Sequence, residues 1–221
     1  MQAYLLWGFV HIVLFVFWLG TDVGALVAAS MARNPKRSFE ARMSLIRLVM
    51  VISVFPRICF ALILPVGMHL TKSLSLYPIS TDLLLVTWAL AAYWIGTVVI
   101  VARNEGRRLA LIASRLALLS HTILGLIFVV IGLNSLATGA PLEETWFAWK
   151  LLLYGLVFWT SIAVEVCFSP FLGPFMEIGQ HGSSPEREEA VTRAINNTQI
   201  AVVTLYALIA VIAFIGKVKP F

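Results

Sequence analysis

Six long apolar runs, separated by short polar segments, dominate the hydrophobicity pattern of the chain. They cover residues 4–31, 44–70, 82–102, 109–137, 146–169 and 191–216. Because about 20 residues of α-helix span the ~30 Å hydrocarbon core of a bilayer, each run is long enough to cross a membrane. None alternates apolar and polar residues as the strands of a membrane barrel do. The pattern therefore predicts an all-α integral membrane bundle of six transmembrane helices, each satisfying its own backbone hydrogen bonds.

The composition excludes a water-soluble globular enzyme. Hydrophobic residues make up 60% of the 221 positions and charged residues only 12%, whereas soluble domains carry about 25% charged residues. In a soluble protein the net charge of +5 would suggest a nucleic-acid partner. In this chain the charge is better explained by membrane orientation, so we expect a lipid bilayer and no nucleic acid as partners.

The basic residues are distributed unevenly between the loops. Eleven lie in the segments Met31–Arg47, Arg103–Arg115 and Gln180–Arg193, whereas the opposite side has only three lysines. Since Lys and Arg accumulate on the cytoplasmic side, both termini are predicted on the outer, periplasmic side of a bacterial inner membrane. We expect residues 1–221 to form a single transmembrane domain, because dividing it would expose helix faces.

Proline positions predict where two of the helices bend or end. Pro56 and Pro65 fall inside the second apolar run, and the segment Ser169–Pro174 places two further prolines at the end of the fifth. Proline has no N–H to donate to the residue four positions earlier, and its ring crowds that residue's carbonyl group. We therefore expect the second helix to bend and the fifth helix to end at these positions.

Ionisable side chains inside the apolar runs carry most of the functional information. An ionisable group at bilayer depth is costly in free energy, so its presence there is a functional hypothesis by default. Seven residues meet this condition, the last of them at the outer end of its run: His11, Asp22, Arg57, His121, Lys150, Glu165 and His69.

Helical spacing places several of these residues on common faces. Two polar stripes result, His11, Phe15, Trp18 and Asp22 on the first helix and Lys150, Tyr154, Ser161 and Glu165 on the fifth. Polar stripes of this period turn away from lipid. The rise per residue predicts two polar regions. The outer one contains His11, Lys150, His121 and His69, and the inner one contains Asp22, Arg57, Glu165 and the pair Asn196 and Asn197.

Three histidines at outer or middle depth favour a haem over a bare metal ion. Two axial ligands of a haem can come from separate helices, with the porphyrin in an apolar slot between them, whereas zinc or copper takes three or four closely spaced ligands. The candidate iron ligands are His11, His121 and His69. His11 is the first choice, Lys150 or His121 is its partner, and Trp18 flanks the ring. The alternative is a packing role for each histidine and a snorkelling role for Lys150.

Two further features leave alternatives open. Gly125 and Gly132 share a face with His121, which leaves room either for a neighbouring helix or for a flat cofactor. The charged residues of the inner polar region form mutual ion pairs, form a proton path from the cytoplasm, or bind a substrate carboxylate through Arg57.

Four segments of the chain resemble a known family. The first helix runs from His11 to a tryptophan and a glycine (HIVLFVFWLG), and the segment Arg42–Gly67 has a basic start and a glycine near its end. The fifth helix begins Trp-Phe-Ala-Trp-Lys150-Leu-Leu-Leu. The C-terminal segment reads Arg193-Ala-Ile-Asn before its apolar span and Val-Lys-Pro-Phe221 after it. In this order, the segments are similar to the HemJ-type protoporphyrinogen IX oxidases within the CopD-like group of membrane proteins.

The resemblance implies a b-type haem, with His11 and Lys150 at the positions of the family's histidine and lysine. It also implies oxidation of a porphyrinogen, with electrons passed to the respiratory chain. The chain departs from the family in two ways. Residues 82–102 and 109–137 are additional helices, which bring His121 with them, and Asp22 follows the first glycine where the family has a basic and aromatic run.

The function that these features favour is redox chemistry. We expect a membrane protein that binds haem b, oxidises a porphyrinogen-like or other hydrophobic reductant, and passes electrons to a quinone or a partner subunit. Asp22, Arg57 and Glu165 would then move protons or bind carboxylates. Two alternatives stay open, a copper or small-solute permease subunit and a structural or assembly subunit whose charges are packing ion pairs. A homo-oligomer is a further expectation.

Overall fold

A computed structural model describes residues 3–104 and 107–220, so that Phe221, the last residue of the C-terminal segment compared above, lies outside the described residues. In this part of the chain every regular element is helical. The helices are α1 (Ala3–Ala32), α2 (Phe39–Ile52), α3 (Val54–Ser73), α4 (Thr81–Arg103), α5 (Arg108–Thr138), α6 (Thr145–Phe168), a 3-10 turn (Ser169–Phe171), α7 (Leu172–His181) and α8 (Pro185–Val218).

The structure confirms the all-α fold with six membrane-length helices. Six segments of the described residues are long and apolar enough to cross a membrane: Ala3–Ala32, Phe39–Ser73, Thr81–Arg103, Arg108–Thr138, Thr145–His181 and Pro185–Val218. Each predicted apolar run lies within one of them. By length and composition the chain is therefore a multi-pass membrane protein, and the orientation of its termini stays a prediction.

The second span is interrupted near Pro56. Helix α2 ends at Ile52, Ser53 forms a turn, and α3 begins at Val54, so that Pro56 occupies the first turn of the new helix. This position suits proline, because the first-turn N–H groups of a helix have no intrahelical acceptor. By contrast, α3 continues through Pro65 without a break in its helical assignment.

The fifth span ends its first helix where the sequence predicts, but helical structure then resumes. Helix α6 ends at Phe168, and the 3-10 turn leads into the short helix α7. Helix α7 is amphipathic, with Phe175 and Ile178 buried and Glu177 and Gln180 exposed. It is not predicted from the sequence, because its apolar residues recur over too few turns to stand out from the neighbouring apolar run.

Two serine side chains define helix N-termini in the expected way. Oγ of Ser80 accepts the backbone N–H of Leu83 at 3.1 Å at the start of α4, and Oγ of Ser184 accepts that of Arg187 at 3.4 Å at the start of α8. Such caps satisfy backbone donors that the helix itself leaves open. Helix α8 thus starts at Pro185, six residues before the predicted span. The predicted span starts later because the first two turns of the helix are polar and do not belong to the apolar run.

The chain divides into two compact units, each described separately below. The first unit comprises Met1–Val23 and Ile52–Ser120, and the second comprises Gly24–Val51 and His121–Phe221. In the first unit α3 packs against α4, and in the second α6 packs against α8. The prediction of a single domain is not tested by this division and stays a prediction.

The second unit contains a dense apolar cluster built around the 3-10 turn, α7 and the first half of α8. Its buried members are Ala32, Ile46, Phe171, Phe175, Ile178, Val191, Ala194 and Ile195. Phe171 and Phe175 are fully buried and stack at 4.8 Å between ring centroids. This cluster positions the starts of α2 and α8, and with them the charged pair described below.

Candidate functional site

In the first unit the imidazole of His11 packs against a glycine of α3. A methyl group added at Gly67 would lie 3.4 Å from Cε1 and 3.8 Å from Nδ1 of His11. The ring therefore packs directly against position 67, and its Nδ1 atom is buried. The predicted first-choice ligand is thus a partly buried imidazole in contact with α3.

His69 lies in the same unit, between two tryptophans. Its ring stacks on Trp7, with centroids 4.1 Å apart and planes 10° from parallel. The indole Nε1–H of Trp88 donates a hydrogen bond to His69 Nε2 at 3.1 Å. Because that nitrogen is occupied as an acceptor, iron ligation through it would require the loss of the Trp88 bond. In this conformation His69 is the weakest of the three predicted histidine ligands.

Trp18, Asp22 and Arg57 of the first unit lie further along α1 and α3. Trp18 is buried and packs on Phe60, with ring centroids 5.2 Å apart. Asp22, one turn further along α1, interacts electrostatically with Arg57 of α3. Two of the three charged residues of the predicted inner polar region therefore influence each other, whereas the contacts of Trp18 are those of a core residue.

In the second unit, helix α6 packs against the glycines near His121. A methyl group on Gly125 would lie 2.8 Å from Nε1 of Trp159, one on Gly155 would lie 2.7 Å from the Gly125 carbonyl oxygen, and one on Gly132 would lie 2.8 Å from Leu152 Cβ. Close approach of helix backbones at small residues is typical of membrane helices. Of the two alternatives for this face, the structure shows a neighbouring helix, α6.

His121 itself makes an aromatic contact in this unit. Its ring meets Phe158 of α6 edge to face, with centroids 5.5 Å apart, and Phe158 is fully buried. Glu165, two turns further along α6, has an exposed side chain, and its carbonyl oxygen accepts the N–H of Ser169 at the end of the helix. His121 thus lies beside the packed core of α5 and α6, and Glu165 lies near the end of α6.

Lys150 lies where α6 meets the last turn of α8. A methyl group on Gly216 would lie 2.9 Å from Nζ of Lys150 and 3.6 Å from its Cδ and Cε atoms, so the absence of a side chain at Gly216 makes room for the amine. The amine makes no hydrogen bond or ion pair with any of the residues that the structure describes. The negative end of the α8 dipole is the favourable local environment for its charge.

The structure also shows a buried ion pair that the sequence analysis did not identify. Arg42 is 2% exposed, and its Nη1 and Nη2 donate to the two carboxylate oxygens of Glu188 at 2.8 and 2.9 Å. Its Nε donates to the Ala32 carbonyl at 2.7 Å, and its guanidinium lies 5.4 Å from the ring centroid of Phe175. Ser183 donates a further hydrogen bond to Glu188.

A sequence signal for this pair exists. Glu188 lies three residues before Val191 and seven before Ile195, on one face of α8, and Arg42 lies four before Ile46 on α2. A charge in line with an apolar stripe predicts a buried, paired charge. The basic-loop interpretation of Met31–Arg47 instead places Arg42 among the residues that orient the chain in the membrane, which gives no reason to expect a buried partner.

The predicted ligands are distributed over both units. His11 and His69 belong to the first, and His121 and Lys150 belong to the second. No group of three or more His, Cys, Asp or Glu side chains able to hold a metal ion occurs within residues 3–104 and 107–220. The pairing of His11 with Lys150 or His121 stays a prediction.

The comparisons with known proteins add no assignment. No family model, no curated protein and no solved structure matches the chain. The resemblance to the HemJ-type oxidases and the CopD-like group therefore stays a prediction based on the four quoted segments.

Proposed function

We propose that the protein is a haem b redox protein of the bacterial inner membrane, in which His11 would bind the haem iron. The observation that supports this proposal is the partly buried imidazole of His11, which packs on Gly67 and stands at the position of the histidine in the resembling family. A histidine at bilayer depth is a functional candidate by default, and imidazole is a ligand that haem iron takes.

The other candidate ligands support this choice to different degrees. His69 is engaged through Nε2 by Trp88, and the glycine face beside His121 is occupied by α6. The Lys150 amine, by contrast, makes no hydrogen bond with the described residues. Of the candidate ligands in the second unit, it is therefore the one that an anion or a metal ion would stabilise. A haem would supply a one-electron redox couple within the membrane.

The chain's own residues would handle the reductant and its protons. Oxidation of a hydrophobic reductant, of which a porphyrinogen is one class, releases protons together with electrons. Asp22 and Arg57 interact in the first unit and would bind a proton or a substrate carboxylate there. A quinone or a partner subunit would accept the electrons, and homo-oligomers are compatible with this role.

The test is a reduced-minus-oxidised absorbance spectrum of the full chain, purified in detergent from cells supplied with a haem precursor. The expected result is a sharp α-band and a haem content near one per chain, both lost in His11→Ala. His181→Ala is the control, since His181 is an exposed residue at the end of α7. Monodisperse wild-type protein that carries no haem would contradict the proposal.

A permease subunit for copper or a small solute is the second candidate, supported by the interaction of Asp22 with Arg57 inside the apolar spans. It requires colourless wild-type protein and uptake that is lost in Asp22→Asn. If both haem and uptake are absent and His11→Ala affects only stability, the chain is a structural or assembly subunit.

A further inference from the structure

The end of the first unit where α1 starts, α3 ends and α4 starts carries a compact aromatic and basic cluster. Trp7 lies four residues after the start of α1, His69 four residues before the end of α3, and Trp88 seven residues after the start of α4. The two ring contacts of His69 join these residues, which we call the Trp7–His69–Trp88 cluster. Tryptophans at this depth are typical of the membrane–water interface.

The Trp88 hydrogen bond fixes the protonation pattern of the neutral His69 ring. A neutral imidazole carries one N–H, and the nitrogen that accepts a hydrogen bond is the one without it. Since Nε2 accepts the Trp88 N–H, Nδ1 carries the proton and is a donor. Within residues 3–104 and 107–220 this donor has no acceptor, while His69 itself is partly exposed.

A positive charge accompanies this donor. Lys72 lies three residues after His69 on the same face of α3, is exposed, and acts electrostatically on the imidazole. The charged residue in the first two turns of α4 is Asp82, whereas residues 3–10 of α1 carry no charge. The cluster therefore combines an ammonium group, a fixed N–H donor and two indole rings at one membrane boundary.

We propose that the Trp7–His69–Trp88 cluster, with Lys72, binds the phosphate of a lipid head group. A phosphate diester offers a negative charge for the ammonium and acceptor oxygens for the imidazole N–H. The indoles, of which Trp88 is 38% exposed, pack against the glycerol backbone and the first methylenes of the chains. This site is separate from His11 and does not depend on haem.

The test is native mass spectrometry of the full chain in detergent, titrated with phosphatidylglycerol, phosphatidylcholine or inorganic phosphate. The wild type is expected to retain phosphatidylglycerol. Loss of one cation near a lipid phosphate weakens binding about fivefold, so Lys72→Gln is expected to reduce its retention by about that factor. Lys217→Gln removes the same charge at another exposed lysine and is the matched control.

Two further variants test the hydrogen-bond argument. His69→Phe retains a ring to stack on Trp7 but has no donor, and we expect it to weaken phosphatidylglycerol binding as much as Lys72→Gln does. Trp88→Phe leaves the imidazole in place but no longer fixes its tautomer, so its effect should be smaller. Unchanged retention in His69→Phe would overturn the proposal.

The controls separate the sources of the effect. Equal losses in Lys72→Gln and Lys217→Gln would show attraction to net charge alone and would overturn the site. Displacement of the lipid by inorganic phosphate at equal concentration would show that the site binds free phosphate, which would overturn its assignment to a lipid. Each variant is first checked for unchanged helix content by circular dichroism.

Discussion

Two cationic side chains of the second unit, Arg42 and Lys150, lie in opposite chemical environments. Arg42 is buried and donates three hydrogen bonds, two of them to the carboxylate of Glu188. Lys150 is partly buried over Gly216, and its amine makes no hydrogen bond with the described residues. Arg42 is thus fully paired, whereas Lys150 has no hydrogen-bond or ion-pair partner in the part of the chain that the structure describes.

The difference separates a structural charge from a functional candidate. A buried ion pair with full hydrogen bonding requires no ligand. Removing one of its two partners leaves the other as an uncompensated buried charge. Burying a cation without a partner costs folding free energy. The presence of such a cation therefore favours a functional role in which a bound ligand supplies the partner. Burial of a cation does not by itself distinguish the two cases, whereas its hydrogen-bond and ion-pair partners do.

The largest effect is expected from breaking the Arg42 pair. Glu188→Gln removes the charge that compensates the buried guanidinium, and breaking such a pair costs about 3–5 kcal/mol. We expect a loss of this size in the free energy of unfolding, measured in mixed micelles of dodecylmaltoside and SDS. A loss below about 1 kcal/mol would show that Arg42 is hydrated and would remove the contrast with Lys150.

The next effect concerns the packing that surrounds His121, which involves no charge. Gly155→Ala places a methyl group 2.7 Å from the Gly125 carbonyl oxygen and 2.8 Å from Val129 Cγ2, and overpacking of this kind costs about 1–3 kcal/mol. The same unfolding measurement checks it. Gly96→Ala is the control, since a methyl group there meets nothing within 4 Å, and equal losses in both variants would contradict the packing argument.

Lys150→Met tests the other half of the comparison. Methionine retains the length of the side chain and removes an amine that has no partner among residues 3–104 and 107–220, so we expect the free energy of unfolding in the apoprotein to rise by about 1 kcal/mol. Arg42→Met is the matched control and should lower it. If the two substitutions destabilise alike, Lys150 is a paired structural charge, and its proposed role near a haem loses its support.

The fold was predictable because a membrane span depends on the summed hydrophobicity of many consecutive residues. Each of the six apolar runs exceeds the length that a bilayer requires, so an error at any single position changes nothing. The break at Ser53 was predictable to within a few residues from Pro56, because the missing N–H acts locally. Helix α7 was not, since its amphipathic pattern extends over only ten residues.

The candidate site was predictable only as a set of unusual residues. Depth and helical spacing identified His11, His69 and Lys150, but whether a side chain has a partner depends on contacts between residues far apart in the chain. His69 shows this most clearly, because its acceptor nitrogen is occupied by Trp88, nineteen residues away. Gly216 carries no chemical signal in the sequence, yet it provides the space for Lys150.

The smallest effect is expected at an exposed ion pair. This pair shows what an ion pair contributes when it is not buried, and it can be compared with the buried pair of Arg42 and Glu188. Arg193 and Glu189 are paired at i, i+4 on α8, and both side chains are 69% exposed. Arg193→Gln should lower the free energy of unfolding by only about 0.3 kcal/mol, because water solvates both charges in the unpaired state. The effect should fall further in 0.5 M salt, whereas that of Glu188→Gln should persist, since buried pairs are screened much less. If both substitutions respond to salt alike, the Arg42 pair is accessible to solvent, and burial does not distinguish it from a surface contact.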